Sequence, residues 1–133
     1  MSKPELQADT YCFACGKDNP FGLHMEFVDE GDDYVCRWHP QPHHQGWVKI
    51  LHGGLVSTLL DEVMTWRLVS LGHDVVTAEI TVRLKEPTPL DQELTVRGRV
   101  VAQRRRLFEV EGEIALPDGT VTATASGKFM EVS

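Results

Sequence analysis

A single stretch of this chain reads as a long helix, and only strand-like sequence follows it. The helix reading covers residues 53–71, with Gly72 as its stop. At 100° per residue, Leu55, Val56, Leu59, Leu60, Val63, Met64, Trp66 and Leu71 cover a wide apolar arc. Ser57, Thr58, Asp61, Glu62 and Thr65 gather on the opposite side. An arc this wide needs protein around most of the helix. Four strands are expected afterwards, at 75–84, 93–104, 107–116 and 120–132, parted by Glu86-Pro87-Thr88-Pro89 and by Pro117-Asp118-Gly119. Ahead of the helix, 23–28 and 34–39 read as a hairpin about Asp29-Glu30-Gly31-Asp32, and a loop rich in Pro, His and Gly spans 40–47. Long antiparallel strands with one early helix give an α+β architecture, a sheet curled around a buried helix.

Size allows one such unit. The 133 residues, 41% hydrophobic and 25% charged, can bury one core, so 1–133 is expected to be a single domain with a turn-rich segment at 1–22. A formal charge of −7 runs against a nucleic-acid partner, which calls for clustered Lys and Arg. The one basic run, Arg104-Arg105-Arg106, reads as a solvated strand end. Residues 1–10 hold no apolar stretch of the kind a secretory signal needs, and no run approaches the ~20 apolar residues of a membrane span. Three cysteines are an odd count for a disulfide framework and fit a reducing cytoplasm. An acidic cytoplasmic protein with neither nucleic-acid nor membrane partner is expected.

Two features on the helix can carry chemistry. Leu51-His52-Gly53-Gly54 lies at its start, where unpaired N–H groups and a partial positive charge attract a developing oxyanion. Asp61 lies on the polar arc, where it is either solvated or able to act as nucleophile or as the general base for water; Glu62 could replace it in principle. Gly53 and Asp61 are about 12 Å apart along the axis at 1.5 Å rise per residue. Reacting groups must approach within about 3–3.5 Å. If both act on one bond, they come from two antiparallel copies, and the protein is a homodimer with shared sites.

His52-Gly53-Gly54 followed by Leu59-Leu60-Asp61-Glu62 resembles the signature of PaaI-type thioesterases of the hotdog superfamily. Val76-Thr77-Ala78-Glu79, the strand through Arg83, and Pro87 to Leu90 resemble it too. Cys12-Phe13-x-Cys15-Gly16 with Asn19-Pro20-x-Gly22-Leu23 is similar to the opening of one subgroup. The resemblance implies a hotdog fold, a curved antiparallel sheet wrapped around one central helix. It further implies a homodimer, often paired into a dimer of dimers, with the site at the dimer interface. The implied activity is hydrolysis of an acyl-CoA to free carboxylic acid and CoA, without a cofactor. Gly53 falls on the oxyanion glycine, Asp61 on the catalytic carboxylate and Thr77 on the hydroxyl that positions water. His52, Gly54, Glu62 and Arg83 fall in the substrate-binding surroundings. Many relatives carry an Asn where this chain has Gly46, so His44 or Gln45 is the polar partner expected for the thioester. The alternative is a hotdog module that binds acyl-CoA without hydrolysing it, since function lives in the site and not in the fold.

Cys12 and Cys15 have CxxC spacing. Structural zinc needs about four ligands, and Cys36 and scattered histidines are the further ligands considered, so the pair reads as a packed turn. His39, His43 and His44 have no acidic partner at a ligand spacing. No metal is expected. Trp47 and Trp66 read as packing residues.

Overall fold

The computed structural model describes residues 6–132. Helix α1 spans Gly53–Ser70, and six strands follow one another as β1 (Val28–Glu30), β2 (Asp33–Trp38), β3 (Val75–Leu84), β4 (Leu94–Arg104), β5 (Leu107–Ala115) and β6 (Val121–Glu131). They form one antiparallel sheet in the order β1-β2-β4-β5-β6-β3. A 3-10 turn over Pro42–His44 lies in the loop before the helix.

The helix starts and stops where its end residues can satisfy the backbone. His52 is the N-cap, and its Nδ1 accepts the Gly54 N–H at 2.9 Å. At the other end Gly72 takes φ 95°, its N–H reaches the Val69 carbonyl at 2.9 Å, and the His73 N–H reaches Leu68 at 3.1 Å. This pair of bonds is the Schellman closure, for which a left-handed glycine is the favoured residue. In between, Val56, Leu59, Leu60, Val63, Met64 and Leu68 are buried against Val96, Phe108, Ile114 and Phe129 of the sheet. Each such side chain contributes about 1.5–3 kcal/mol by leaving water. Close contact is possible because small residues lie under the helix. Gly98, Gly112 and Ala125 form one cross-strand row, and a Cβ on Gly98 would lie 3.1 Å from the Val63 carbonyl oxygen.

The apolar arc is rotated slightly from the expected one. Trp66 is half-buried and Leu71 exposed, while Arg67 is buried. The Arg67 side chain is buried along the core stripe, guanidinium included, and ends beneath the β1–β2 turn, bonded to the Gly31 carbonyl, 3.2 Å from the Asp29 carboxylate and 5.6 Å from the Tyr34 ring centre. Long cationic side chains bury their stems in this way.

The expected strand at 23–28 is corrected. Only Val28 joins the sheet. Leu23 and Met25 are buried as their alternation suggests, but their N–H groups bond the carbonyls of Phe13 and Ala14 at 2.8 and 2.9 Å. The N-terminal segment, not the sheet, is their partner.

Strand β3 is a sheet edge of ten residues, and it contains a bulge. Thr77 pairs with Phe129, but Glu79 pairs with Lys128, so Ala78 is the extra residue. A bulge reverses the alternation of faces. Val75 and Thr77 point toward the helix before it; Ile80, Val82 and Leu84 do so after it. Thr81 and Arg83 are thereby sent to the outer face, where they line an open cleft with Arg97 and Arg99.

Candidate active site

Asp61 and Thr77 meet across the helix–sheet gap. The Thr77 hydroxyl donates to Asp61 Oδ1 at 2.8 Å, a contact the bulge at Ala78 makes possible. Burial pushes the Asp61 carboxyl above its ordinary value, and the Thr77 hydrogen bond partly offsets the rise. A half-buried carboxylate with one oxygen held by a hydroxyl is oriented and more basic than a surface aspartate. The hydroxyl keeps its lone pairs, so it can also accept from a water beside the carboxylate.

Glu62 is turned to a different neighbourhood. Its Oε2 accepts the Trp66 indole N–H at 3.0 Å. Burial raises its carboxyl; the Trp66 bond opposes the rise and the Asp61 charge adds to it. Adjacent residues on a helix are 100° apart, so the two carboxylates serve different surfaces.

At the helix start, the His52 ring occupies the Gly54 N–H. A Cβ on Gly54 would lie 3.1 Å from that ring nitrogen, so glycine lets the cap close. The Gly53 N–H has no hydrogen-bond partner among the described residues and borders a cleft of about 700 Å³ that Trp47, His52, Val56, Leu84 and Thr88 also line. The candidate donor and the candidate carboxylate thus lie well apart along one helix, as their spacing requires.

The two polar residues of the preceding loop are engaged within it. His44 is buried; its Nδ1 accepts the Gln41 N–H at 2.9 Å and its carbonyl receives the His52 N–H at 3.0 Å. Burial first, and His43 second, hold its imidazole below the ordinary value, which keeps it neutral. Gln45 Oε1 accepts the Lys49 N–H at 2.9 Å. Both shape the loop that delivers His52 and Gly53 to the helix start. Arg83, on the outer face, is not brought together with Asp61 and Thr77 within the chain. Sequence reasoning missed the holding role of Trp66, and helical i, i+4 spacing from Glu62 was the available signal. The bulge at Ala78 left no such signal.

One helix wrapped by a six-stranded antiparallel sheet, with an oriented carboxylate on that helix, is the hotdog architecture. The chain belongs to the thioesterase superfamily, whose family model matches residues 49–123, more than half of it. It is 24% identical over 135 residues to the acyl-coenzyme A thioesterase THEM4 of Bos taurus, a match covering 99% of this chain and 56% of that protein. The chain therefore spans about half the length of this curated relative. Solved structures share the fold. A hypothetical thioesterase of Streptococcus pneumoniae TIGR4 with coenzyme A superposes at TM-score 0.77, with 23% identity over 82% of this chain and 89% of that one. The PaaI protein of the phenylacetic acid degradation operon of E. coli superposes at 0.78, with 19% identity over 84% and 81%. No helix among the described residues is long and apolar enough to cross a membrane.

Proposed function

We propose that this protein is an acyl-CoA thioesterase, hydrolysing an acyl thioester to free acid and CoA. The observation that carries the reading is the half-buried Asp61 carboxylate held by Thr77 at 2.8 Å in a chain of this family. Asp61 acts as nucleophile, or as the general base for a water that Thr77 helps to place. Cleavage of the C–S bond passes through a tetrahedral oxyanion, which the Gly53 N–H stabilises by about 2.7–4 kcal/mol when preorganised. The cleft beside Gly53, lined by Trp47, Val56 and Leu84, receives the thioester end of the substrate.

The roughly 12 Å of helix between Gly53 and Asp61 is bridged by a second copy, so each site combines the Gly53 of one protomer with the Asp61 of its partner. The edge of β3 supports this. It offers ten residues of backbone along one side, and Val76, Leu84 and Trp47 near it are 36%, 58% and 83% exposed. Long exposed edges of this kind are templates for strand pairing. Two further observations suit the reading. The pneumococcal thioesterase was also solved with one aspartate and, separately, one threonine changed to alanine; these lie sixteen positions apart, as Asp61 and Thr77 do. Cys12, Cys15 and Cys36 are all free thiols, which suits a reducing cytoplasm.

A thiol-release assay against a panel of acyl-CoAs, run on wild type and Asp61→Ala in parallel, tests the proposal. Turnover that collapses in the variant is expected. Tight acyl-CoA binding without turnover of any substrate would replace the enzyme with a binding module.

A further inference from the structure

The N-terminal turn brings two thiols to the helix. The Sγ atoms of Cys12 and Cys15 and a carboxylate oxygen of Glu62 all lie within 4.8 Å of one another. About 50 residues of chain separate the first two groups from the third, and the fold converges them.

The thiols are held in place. Gly16 N–H closes onto the Cys12 carbonyl at 2.8 Å and Asp18 N–H onto Thr10 at 2.9 Å, while Phe13 and Ala14 are bonded to Leu23 and Met25. The turn is so tight that a Cβ on Gly16 would lie 2.3 Å from the Cys12 nitrogen. The Trp66 indole N–H bonds Glu62 Oε2 at 3.0 Å and also reaches the Cys15 thiol, so one side chain steadies both groups. Ligating carboxylates are commonly oriented by such an outer hydrogen bond.

We propose that Cys12, Cys15 and Glu62 bind one thiophilic divalent cation, zinc above all, and that the ion ties the N-terminal segment to helix α1. Tetrahedral zinc places two sulfurs and an oxygen about 3.5–3.8 Å apart, from bonds of about 2.0–2.3 Å. Small side-chain rotations bring the cluster to that spacing, and water fills the fourth position. Two thiolates with one carboxylate suit zinc and not magnesium or calcium, which take oxygen ligands.

Three acidic groups are close together here. The Cys15 thiol is pushed up to about 12, by burial first and then by Cys12 and Glu62; Glu62 is raised as well, again by burial first. Groups that would repel one another as anions are therefore gathered in a half-buried place. No cation pairs with Glu62 among the described ion pairs. A bound metal deprotonates a coordinating thiol outright and turns the repulsion into attraction.

The test uses the full chain, stripped with a chelator under reducing conditions and titrated anaerobically with Co(II). Absorbance reports the thiolate-to-cobalt charge-transfer band, and calorimetry with Zn(II) in buffers of different ionisation enthalpy counts protons. One equivalent, a charge-transfer band and release of about two protons are expected. Cys15→Ser should at least halve the band, and Cys12→Ser combined with Cys15→Ser should abolish it. Glu62→Gln should weaken Zn(II) about tenfold or more with an unchanged circular dichroism spectrum, which separates ligand loss from misfolding. Absence of the band at millimolar Co(II), or a Zn(II) affinity unchanged in Glu62→Gln, overturns the proposal. So does a Cys12–Cys15 disulfide that forms in air with Zn(II) present.

Discussion

Asp61 and Glu62 are neighbours in sequence, both half-buried, and both raised by burial. One faces strand β3 and the Thr77 hydroxyl; the other faces the Trp66 indole and the thiols of the N-terminal turn. The β3 side supplies an oriented base beside a sheet edge. The N-terminal side supplies a covered contact between segments distant in sequence. A carboxylate's chemistry here is set by which element covers it, and one helical step of 100° decides that.

The comparison is broken most sharply by neutralising each carboxylate in turn. Asp61→Asn should lower kcat by about 10²–10⁴-fold, the range for loss of a general base. Glu62→Gln should lose less than about tenfold. Equal losses would merge the two sides into one site. Along the helix axis, Gly53→Pro removes the proposed oxyanion donor. Proline is tolerated at a first helical position, and His52 before it already has φ −57° and ψ 130°, the extended backbone such a residue adopts. A loss of about 10²–10³-fold is expected, with Gly53→Ala, which keeps the N–H, much less affected. Wild-type turnover in Gly53→Pro would move the donor elsewhere.

The smallest effect concerns the β3 side alone. In the proposed mechanism Asp61 must be ionised, so activity is expected to be lost as pH falls through its folded pKa. Burial raises that pKa, which places the acid limb of the rate profile above the ordinary carboxylate value of 3.8. The Thr77 bond lowers it, so Thr77→Val should shift the limb further toward neutral pH while the protein stays folded. An unmoved limb would show that the hydroxyl does not reach the carboxylate in solution.

The helix and its caps were legible because His52, Gly53 and Gly72 mark its ends and the apolar repeat fills the middle. Strands β3 to β6 were legible from alternation and from the turn at Pro117-Asp118-Gly119. Residues 23–27 misled because alternation reports burial of Leu23 and Met25, not the partner of their backbone. Arg67 was hidden by its charge, although its side chain is buried to the guanidinium. Asp61 and Thr77 were each singled out, but their contact depends on Ala78, an ordinary residue that carries no local sign of being unpaired. The meeting of Cys12, Cys15 and Glu62 depends on chain folding and has no spacing to read.

The bulge at Ala78 also governs which length changes the chain can absorb. Removing that single residue would bring the whole of β3 into phase, and one half would then have to turn over. Either Val75 and Thr77 face away from the helix, or Ile80 and Val82 leave the core. A deletion in the exposed turn at residues 117–119 forces no such choice. Among descendants of this sequence, the turn at residues 117–119 is free to drift in length, while the residue count along β3 is held by the Thr77–Asp61 contact and the core together.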